Sequence, residues 1–133
     1  MAANRILFDT PVLIDLLERR PRTIARLRTL ADQGAKLAVS IISVAEIHAG
    51  IRSGEEERTA RLLDLFDVIP LSEDLARKTS KLVAARRRVG RSYTLDDMVI
   101  AASAIEFDYM LYTTNRKDFE TPRLTFFTPT NQS

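Results

Sequence analysis

The sequence predicts an α/β fold, an α/β/α sandwich around a mostly parallel central sheet. Short apolar runs rich in β-branched residues alternate with longer segments of helical periodicity, and no hairpin signal joins one run to the next. The run KLAVSII is apolar except for Lys36 and Ser40, which is typical of a parallel strand covered by helices on both faces.

The composition indicates one globular domain over residues 1–133. Of its residues, 45% are hydrophobic and 29% are charged, and no linker or repeat divides the chain. The absence of cysteine excludes disulfides, thiolate metal sites and a cysteine nucleophile. Without a signal-peptide-like start or an apolar run of spanning length, we expect a cytoplasmic protein with no membrane partner. The net charge of +2 is nearly neutral, and the isoelectric point of about 9.2 is only weak support for a nucleic-acid partner.

A strand over residues 6–8 is expected to run directly into a helix over residues 11–18. Thr10 can cap the free amides of that helix, and Pro11 suits its first turn. On this interpretation folding does not require the carboxylate of Asp9. Pro21 then begins a second helix, which Gly34 ends.

The middle of the chain continues the alternation of strands and helices. Residues 36–42 are predicted as a strand, and the next segment, SVAEIHAGI, as a helix that stops near Gly54. EEERTARLLDLF is a further helix, because acids in its first turn complement the helix dipole. DVIPL is short and β-branched, which favours a strand.

The C-terminal part begins with the predicted helix SEDLARKTSKLVAARRRVG, which runs from a serine cap to a glycine stop. DDMVIAASAI has almost no polar face and is expected to be a buried helix. The last segments are then YMLYTT as a strand, NRKDF as a turn or short helix, and LTFF as a final strand.

Polar residues fall at strand ends and helix starts. Asp9 ends the first strand, Glu46 lies in the first predicted turn of its helix, Asp96 and Asp97 open the apolar helix, and Asn115 follows YMLYTT, with Asp118 three residues further on. The carboxyl ends of parallel strands share one edge, so these groups can meet there. Clustered carboxylates repel one another unless a cation is present, and such oxygen donors fit Mg²⁺ or Mn²⁺.

Apart from Asp9, whose cap role Thr10 already fills, each of these residues also has a purely structural interpretation, which the sequence leaves open. Ser43-x-x-Glu46 and Thr94-x-x-Asp97 both fit the capping box, in which the acid only reaches back to a backbone amide. Asp96 could simply be a charge that stabilises the start of a helix, and Asn115 could be a turn residue. Asp118 could cap the following turn or form a local salt bridge. The functional interpretation depends on their shared placement.

Other chemistries find less support. His48, the single histidine, lies two residues from Glu46 and therefore points to a different face of the helix. There is no glycine-rich phosphate loop and no G-x-S-x-G motif. One dense basic segment, ARRRVGR, is either a solvated helix end or a set of phosphate contacts, and it supplies Arg86, Arg87, Arg88 and Arg91.

Four segments together resemble the PIN-domain family, specifically the VapC-type toxins of type II toxin–antitoxin systems. These segments are ILFDTPVLIDLL, SIISVAEIHAGI, LDDMVIAASAIEFDYMLYTTNRKDF and LTFFTP, and they span nearly the whole chain in order. The resemblance implies an α/β/α sandwich whose acidic quartet binds Mg²⁺ or Mn²⁺ and hydrolyses RNA phosphodiester bonds. It also implies a homodimer and inhibition by a cognate antitoxin.

Carried over by motif, the quartet is Asp9, Glu46, Asp97 and Asn115. The resemblance implies that Asp9 and Asp97 ligate the metal, with Glu46 and Asp118 as further ligands, and that Thr10, Asp96 and Asp118 support the site. Two positions depart from the family pattern. Pro11 stands where asparagine or serine usually follows Asp-Thr, and Asn115 leaves the site one formal charge poorer, which puts a second metal in doubt.

Two other functional classes stay open. A catalytically idle PIN-like module could bind RNA or protein without cleaving it. A Mg²⁺-dependent phosphotransferase or receiver-like domain also ends a strand with an acid, but DTPVL lacks the second aspartate of the D-x-D pattern.

Overall fold

The computed structural model describes residues 4–129. The strands are β1 (Arg5–Phe8), β2 (Lys36–Ser40), β3 (Asp67–Ile69) and β4 (Met110–Tyr112). The helices are α1 (Thr10–Leu17), α2 (Pro21–Asp32), α3 (Ile41–Ala49), α4 (Glu56–Leu63), α5 (Glu73–Arg88) and α6 (Leu95–Phe107). A short 3₁₀ turn, Arg116–Asp118, follows β4.

The four strands form one parallel sheet in the order β3-β2-β1-β4. In the centre Leu7 of β1 is in register with Ala38 of β2 and Leu111 of β4. Because all the strands run the same way, the chain leaves β1, β2 and β4 at one edge of the sheet, and the segments that carry the predicted site residues begin there. The α/β fold with a parallel sheet is therefore confirmed.

Side-chain alternation along β1 divides the core into two layers. Ile6 and Phe8 point into an apolar cluster with residues of α1, α2, α3 and α4, whereas Leu7 joins a second cluster with residues of α5 and α6. The ring of Phe8 meets those of Phe66 and Tyr112 edge-on, at centroid distances of 5.0 and 5.1 Å. Helices thus cover both faces of the sheet. Within residues 4–129 no helix has the length and apolarity needed to cross a membrane.

Two helix starts differ from the sequence prediction. Asp9, not Thr10, is the N-cap of α1: its side chain accepts from the amide of Thr10, which is the first helical residue. The strand predicted over 36–42 ends at Ser40, because the Ser40 hydroxyl accepts from the Ile42 amide at 3.1 Å and starts α3 two residues early. Ser43 is therefore inside α3, and the helix ends at Ala49 instead of near Gly54.

The later boundaries agree better with the prediction. Ser72 caps α5 by accepting from the Leu75 amide at 3.0 Å, and Gly90 follows the helix with φ of +71°. The predicted strand LTFF forms only one bridge, from Phe126 to Leu111, in the part of the chain described. Pro129 has no amide hydrogen, so it cannot extend the pairing.

Arg86, in the last turn of α5, connects the loop that precedes α6 with the loop that follows β4. It is only 7% exposed. Its guanidinium donates to the carbonyl of Ser92 at 2.9 Å and to those of Lys117 and Glu120 at 3.3 Å each. The side chain therefore ties the loop before α6 to the loop after β4.

We predict that Arg86→Met lowers the free energy of unfolding by about 2 kcal/mol, because three carbonyls lose a charged donor. The neighbouring, exposed Arg88 is the matched control, and Arg88→Met should change stability by less than about 0.5 kcal/mol. Urea unfolding followed by circular dichroism measures both, and equal losses would contradict the role given to Arg86.

Candidate functional site

Asp9 is held at the carboxyl end of β1 by both its backbone and its side chain. Its amide donates to the Tyr112 carbonyl at 2.9 Å, which continues the pairing with β4. One carboxylate oxygen accepts from the Thr10 amide and the other from the Thr113 hydroxyl, each at 2.8 Å. The residue is 3% exposed. Its carboxylate is therefore buried and fixed in orientation.

Glu46 approaches Asp9 from α3, and Thr10 lies between them. The Thr10 hydroxyl is 2.7 Å from Glu46 Oε1 and 2.9 Å from the hydroxyl of Ser43. Since α3 is capped by Ser40, Glu46 lies six residues past the cap. The capping-box interpretation of Glu46 is thus wrong, because that motif needs the acid three residues after the cap.

Asp96 and Asp97 come from the first turn of α6. Thr94 is the N-cap, and its hydroxyl accepts from the Asp97 amide at 3.1 Å. Within residues 4–129 no reciprocal bond runs from the Thr94 amide to the Asp97 carboxylate, so only half of the capping box is formed. Asp97 is half-buried, and the carboxyl of Asp96 contacts that of Glu46.

Burial and mutual repulsion raise the pKa of three of these acids. Burial raises the pKa of Asp9 to about 6 from its ordinary 3.8; the bonds from Thr113 and Thr10 offset part of this rise, and the charges of Asp97 and Glu46 add to it. The pKa of Glu46 is raised by burial and by Asp96 and Asp97. Burial, Asp118 and Asp96 raise the pKa of Asp97. The carboxylates therefore form one electrostatically coupled group.

Among the residues that the structure describes, no cationic side chain neutralises this group by direct contact. In residues 4–129 none of the salt bridges involves Asp9, Glu46, Asp96, Asp97 or Asp118. Over the same residues, no three acidic or histidine side chains converge closely enough to hold a metal ion as they stand. The donors still fit a hard cation that keeps part of its water shell, since Mg²⁺ is commonly held by one or two carboxylates and several waters.

Asn115 and Asp118 lie in the loop after β4. The backbone amide of Asn115 donates to the Thr113 hydroxyl at 3.0 Å, so this loop is tied to the group that orients Asp9. Both residues are exposed, and the charge of Asp118 acts on Asp97. The predicted acids and the loop of Asn115 thus share one edge of the sheet.

The basic segment is less uniform than its sequence indicates. Arg86 is buried against backbone carbonyls, which favours a structural role over contact with a ligand. Arg87 donates to the Tyr93 hydroxyl at 2.9 Å, and Arg91 donates to the Lys117 carbonyl and pairs with Glu120 at 3.4 Å. Arg88 is exposed. The single histidine, His48, is exposed on α3.

Sequence reasoning missed two hydroxyls at the site. Thr113 directly follows β4 and bonds to Asp9. Its position at the end of a strand, like that of Asp9, was the signal that could have identified it as a site residue. Ser43 was interpreted as a helix cap, although its spacing from Glu46 also places both residues on one face of α3. Both hydroxyls are buried.

Comparison with known proteins places this chain in a family. Residues 6–122 match the model of the PIN domain. The chain is 32% identical to Ribonuclease VapC1 of Methanocaldococcus jannaschii, over 88% of this chain and 80% of that protein. It is 35% identical to Ribonuclease VapC10 of Mycobacterium tuberculosis, over 83% and 82%.

Among solved structures, a toxin–antitoxin complex from Klebsiella pneumoniae contains a chain of similar fold, with a TM-score of 0.71 and 32% identity. The match covers 90% of this chain and 95% of that one. The chain therefore belongs to the PIN-domain family, in the group whose members are named VapC ribonucleases.

Proposed function

We propose that this protein is a divalent-metal-dependent endoribonuclease and the toxin of a type II toxin–antitoxin pair. The observation that carries the proposal is the group of Asp9, Glu46 and Asp97, which share a sheet edge and form no salt bridge in the described chain. The pKa of each is raised by burial and by the charges of neighbouring acids. The names of the relatives support RNA as the substrate.

Asp9 and Asp97 are the residues that would hold Mg²⁺ or Mn²⁺, and Glu46 and Asp118 would be the further candidate ligands. When bound, such an ion lowers the pKa of a coordinated water and stabilises negative charge that develops on the phosphate. Both oxygens of Asp9 already accept a bond from the protein, so Asp9 offers its remaining lone pairs in a fixed direction.

Glu46 is the residue that we assign to proton removal from the attacking water. Its Oε1 accepts from Thr10, which leaves Oε2 to receive the proton. Its raised pKa makes the carboxylate a better base than an ordinary glutamate. The hydrogen bond from Thr10 fixes the position of the Glu46 carboxylate. Asp96, in the first turn of α6, contributes to the raised pKa of Glu46.

Asn115 is assigned to orienting the scissile phosphate or a water, since its loop is tied to Thr113. For RNA binding we retain Arg87, Arg88 and Arg91, which are exposed at the end of α5 and in the loop that leads to α6. Arg86 is not retained, because its guanidinium is occupied by carbonyls.

We predict that Asp97→Asn lowers cleavage of an RNA pool in Mg²⁺ by about a hundredfold or more while the fold is kept. Asp9→Asn should do the same. The matched control is Asp32→Asn, since Asp32 is exposed at the end of α2, at the opposite edge of the sheet. Sequencing of the RNA ends measures cleavage, and equal activity of Asp97→Asn and Asp32→Asn would remove Asp97 from the centre.

Asp9 should also make the stability of the metal-free protein depend on pH. Its native pKa of about 6 lies above the value of 3.8 for an ordinary aspartate, so the native state binds this proton more tightly than the unfolded chain. The group therefore destabilises the fold above pH 6, and the penalty disappears as the pH falls from 6 towards 4.

We thus expect Asp9→Asn to be more stable than the wild type at pH 7.5, by up to about 3 kcal/mol, with the difference shrinking towards zero near pH 4. Thermal unfolding in EDTA at several pH values measures this. Adding Mg²⁺ should raise the melting temperature of the wild type but not of Asp9→Asn. A difference that does not change with pH would contradict the raised pKa.

We also propose that the protein forms a homodimer, that a cognate antitoxin binds it, and that it is located in the cytoplasm. The matched Klebsiella pneumoniae structure is a toxin–antitoxin complex, which supports the antitoxin. An inhibitory segment that inserts a basic or bulky side chain among the acids would block the site, and a basic one would also neutralise the carboxylates.

A catalytically idle binding module is the competing function, and growth separates the two. We predict that expression of the wild type arrests bacterial growth, that Asp97→Asn does not, and that co-expression of the gene product encoded beside it restores growth. Arrest that persists in the Asp97→Asn variant would favour binding over catalysis. Light scattering of the purified chain tests the dimer.

A further inference from the structure

Ser43 is a buried hydroxyl that the proposed reaction does not yet use. It lies inside α3, is 0% exposed, and contacts the Thr10 hydroxyl at 2.9 Å. Thr10 in turn is 2.7 Å from Glu46 Oε1. Ser43, Thr10 and Glu46 thus form one hydrogen-bonded row, which ends at the acid that we assign to proton removal.

Hydrogen-bond stoichiometry fixes the direction of this row. A threonine hydroxyl has one proton to donate, and an ionised carboxylate can only accept. While Glu46 is ionised, Thr10 therefore donates to Glu46 and cannot donate to Ser43. The contact between the two hydroxyls then requires Ser43 to donate to Thr10.

We propose that Ser43 is a positioning residue of the reaction, which acts through Thr10 to fix the orientation of the Glu46 carboxylate. The inference rests on the proposed function. Glu46 is partly exposed, so packing alone does not fix the direction of its carboxylate. The Thr10 hydroxyl fixes the Glu46 carboxylate by donating a hydrogen bond to it. Because Ser43 donates to the oxygen of the Thr10 hydroxyl, the Thr10 proton points at Glu46.

The same arrangement recurs at Asp9, which supports the interpretation. There the Thr113 hydroxyl donates to the carboxylate at 2.8 Å and accepts from the Asn115 amide at 3.0 Å. Each acid is thus oriented by a threonine whose acceptor side is filled by a second donor. At Asp9 that donor is the backbone, and at Glu46 it is a side chain that can be removed.

Ser103 provides a matched control for removing Ser43. It is also a serine inside a helix and 0% exposed, but its hydroxyl donates to the Val99 carbonyl of its own helix at 2.8 Å. Ser43→Ala and Ser103→Ala delete the same buried group. Only the first deletion breaks a row that reaches the site.

The test is steady-state cleavage of an end-labelled RNA oligonucleotide, selected by wild-type cleavage of a random-sequence pool in Mg²⁺. Ser43→Ala should lower kcat about tenfold or more and leave KM within about twofold, as expected for a group that orients a reacting residue. Ser103→Ala should keep the wild-type kcat. Ser43→Cys, which is slightly larger but keeps a weak donor, should fall between wild type and Ser43→Ala, and it serves in place of Ser43→Ala if the alanine variant does not fold.

A double-mutant cycle separates positioning from general destabilisation. Thr10→Val removes the middle of the row, so adding Ser43→Ala to it should lower kcat no further. Additive losses, or a wild-type kcat in Ser43→Ala, would overturn the role of Ser43 and leave the proposed function standing. A wild type that cleaves no RNA in the pool would instead remove the proposed function, and the inference with it.

Discussion

The two hydrogen bonds to the Asp9 carboxylate are the contacts on which the rest of the site depends. One comes from the first amide of α1 and the other from the hydroxyl that follows β4, both at 2.8 Å. The backbone of Asp9 also pairs with Tyr112. A single side chain therefore caps a helix, joins two neighbouring strands and presents an acid at their common edge. The same residue therefore serves both the structure and the proposed function: its hydrogen bonds fix the chain at this edge, and its charge is what a metal site would require.

Like-charge repulsion is the constraint that this arrangement has to tolerate. Burial already disfavours the ionised form of Asp9, and the charges of Glu46 and Asp97 act in the same direction. Such a group persists only because the surrounding structure fixes it. The surrounding structure here is the packed sheet centre, where Leu7 and Phe8 are fully buried directly before Asp9.

The sequence was sufficient to predict the layers and the edge at which the site lies. Continuous apolar strands and amphipathic helices follow from local pattern, and a parallel sheet then brings Asp9 and the loop of Asn115 together. The helix starts were harder, because Asp9 and Thr10 can each cap a helix and only backbone geometry decides between them. The hydroxyl partners were out of reach: Thr10 and Ser43 are 33 residues apart, and Asp9 and Thr113 are 104 apart.

The type of hydrogen-bond donor around Asp9 and Glu46 explains why these carboxylates can still bind a cation. Within the described chain, Asp9 and Glu46 are oriented by neutral donors, the amide of Thr10 and two threonine hydroxyls. A lysine or arginine in those places would orient the carboxylates as well, but it would also neutralise them and lower their pKa. The nearest buried cation, Arg86, bonds to carbonyls instead, although its charge still reaches Asp97. Neutral donors thus give the acids fixed directions without supplying the positive charge, which leaves that charge to be provided by a bound ion.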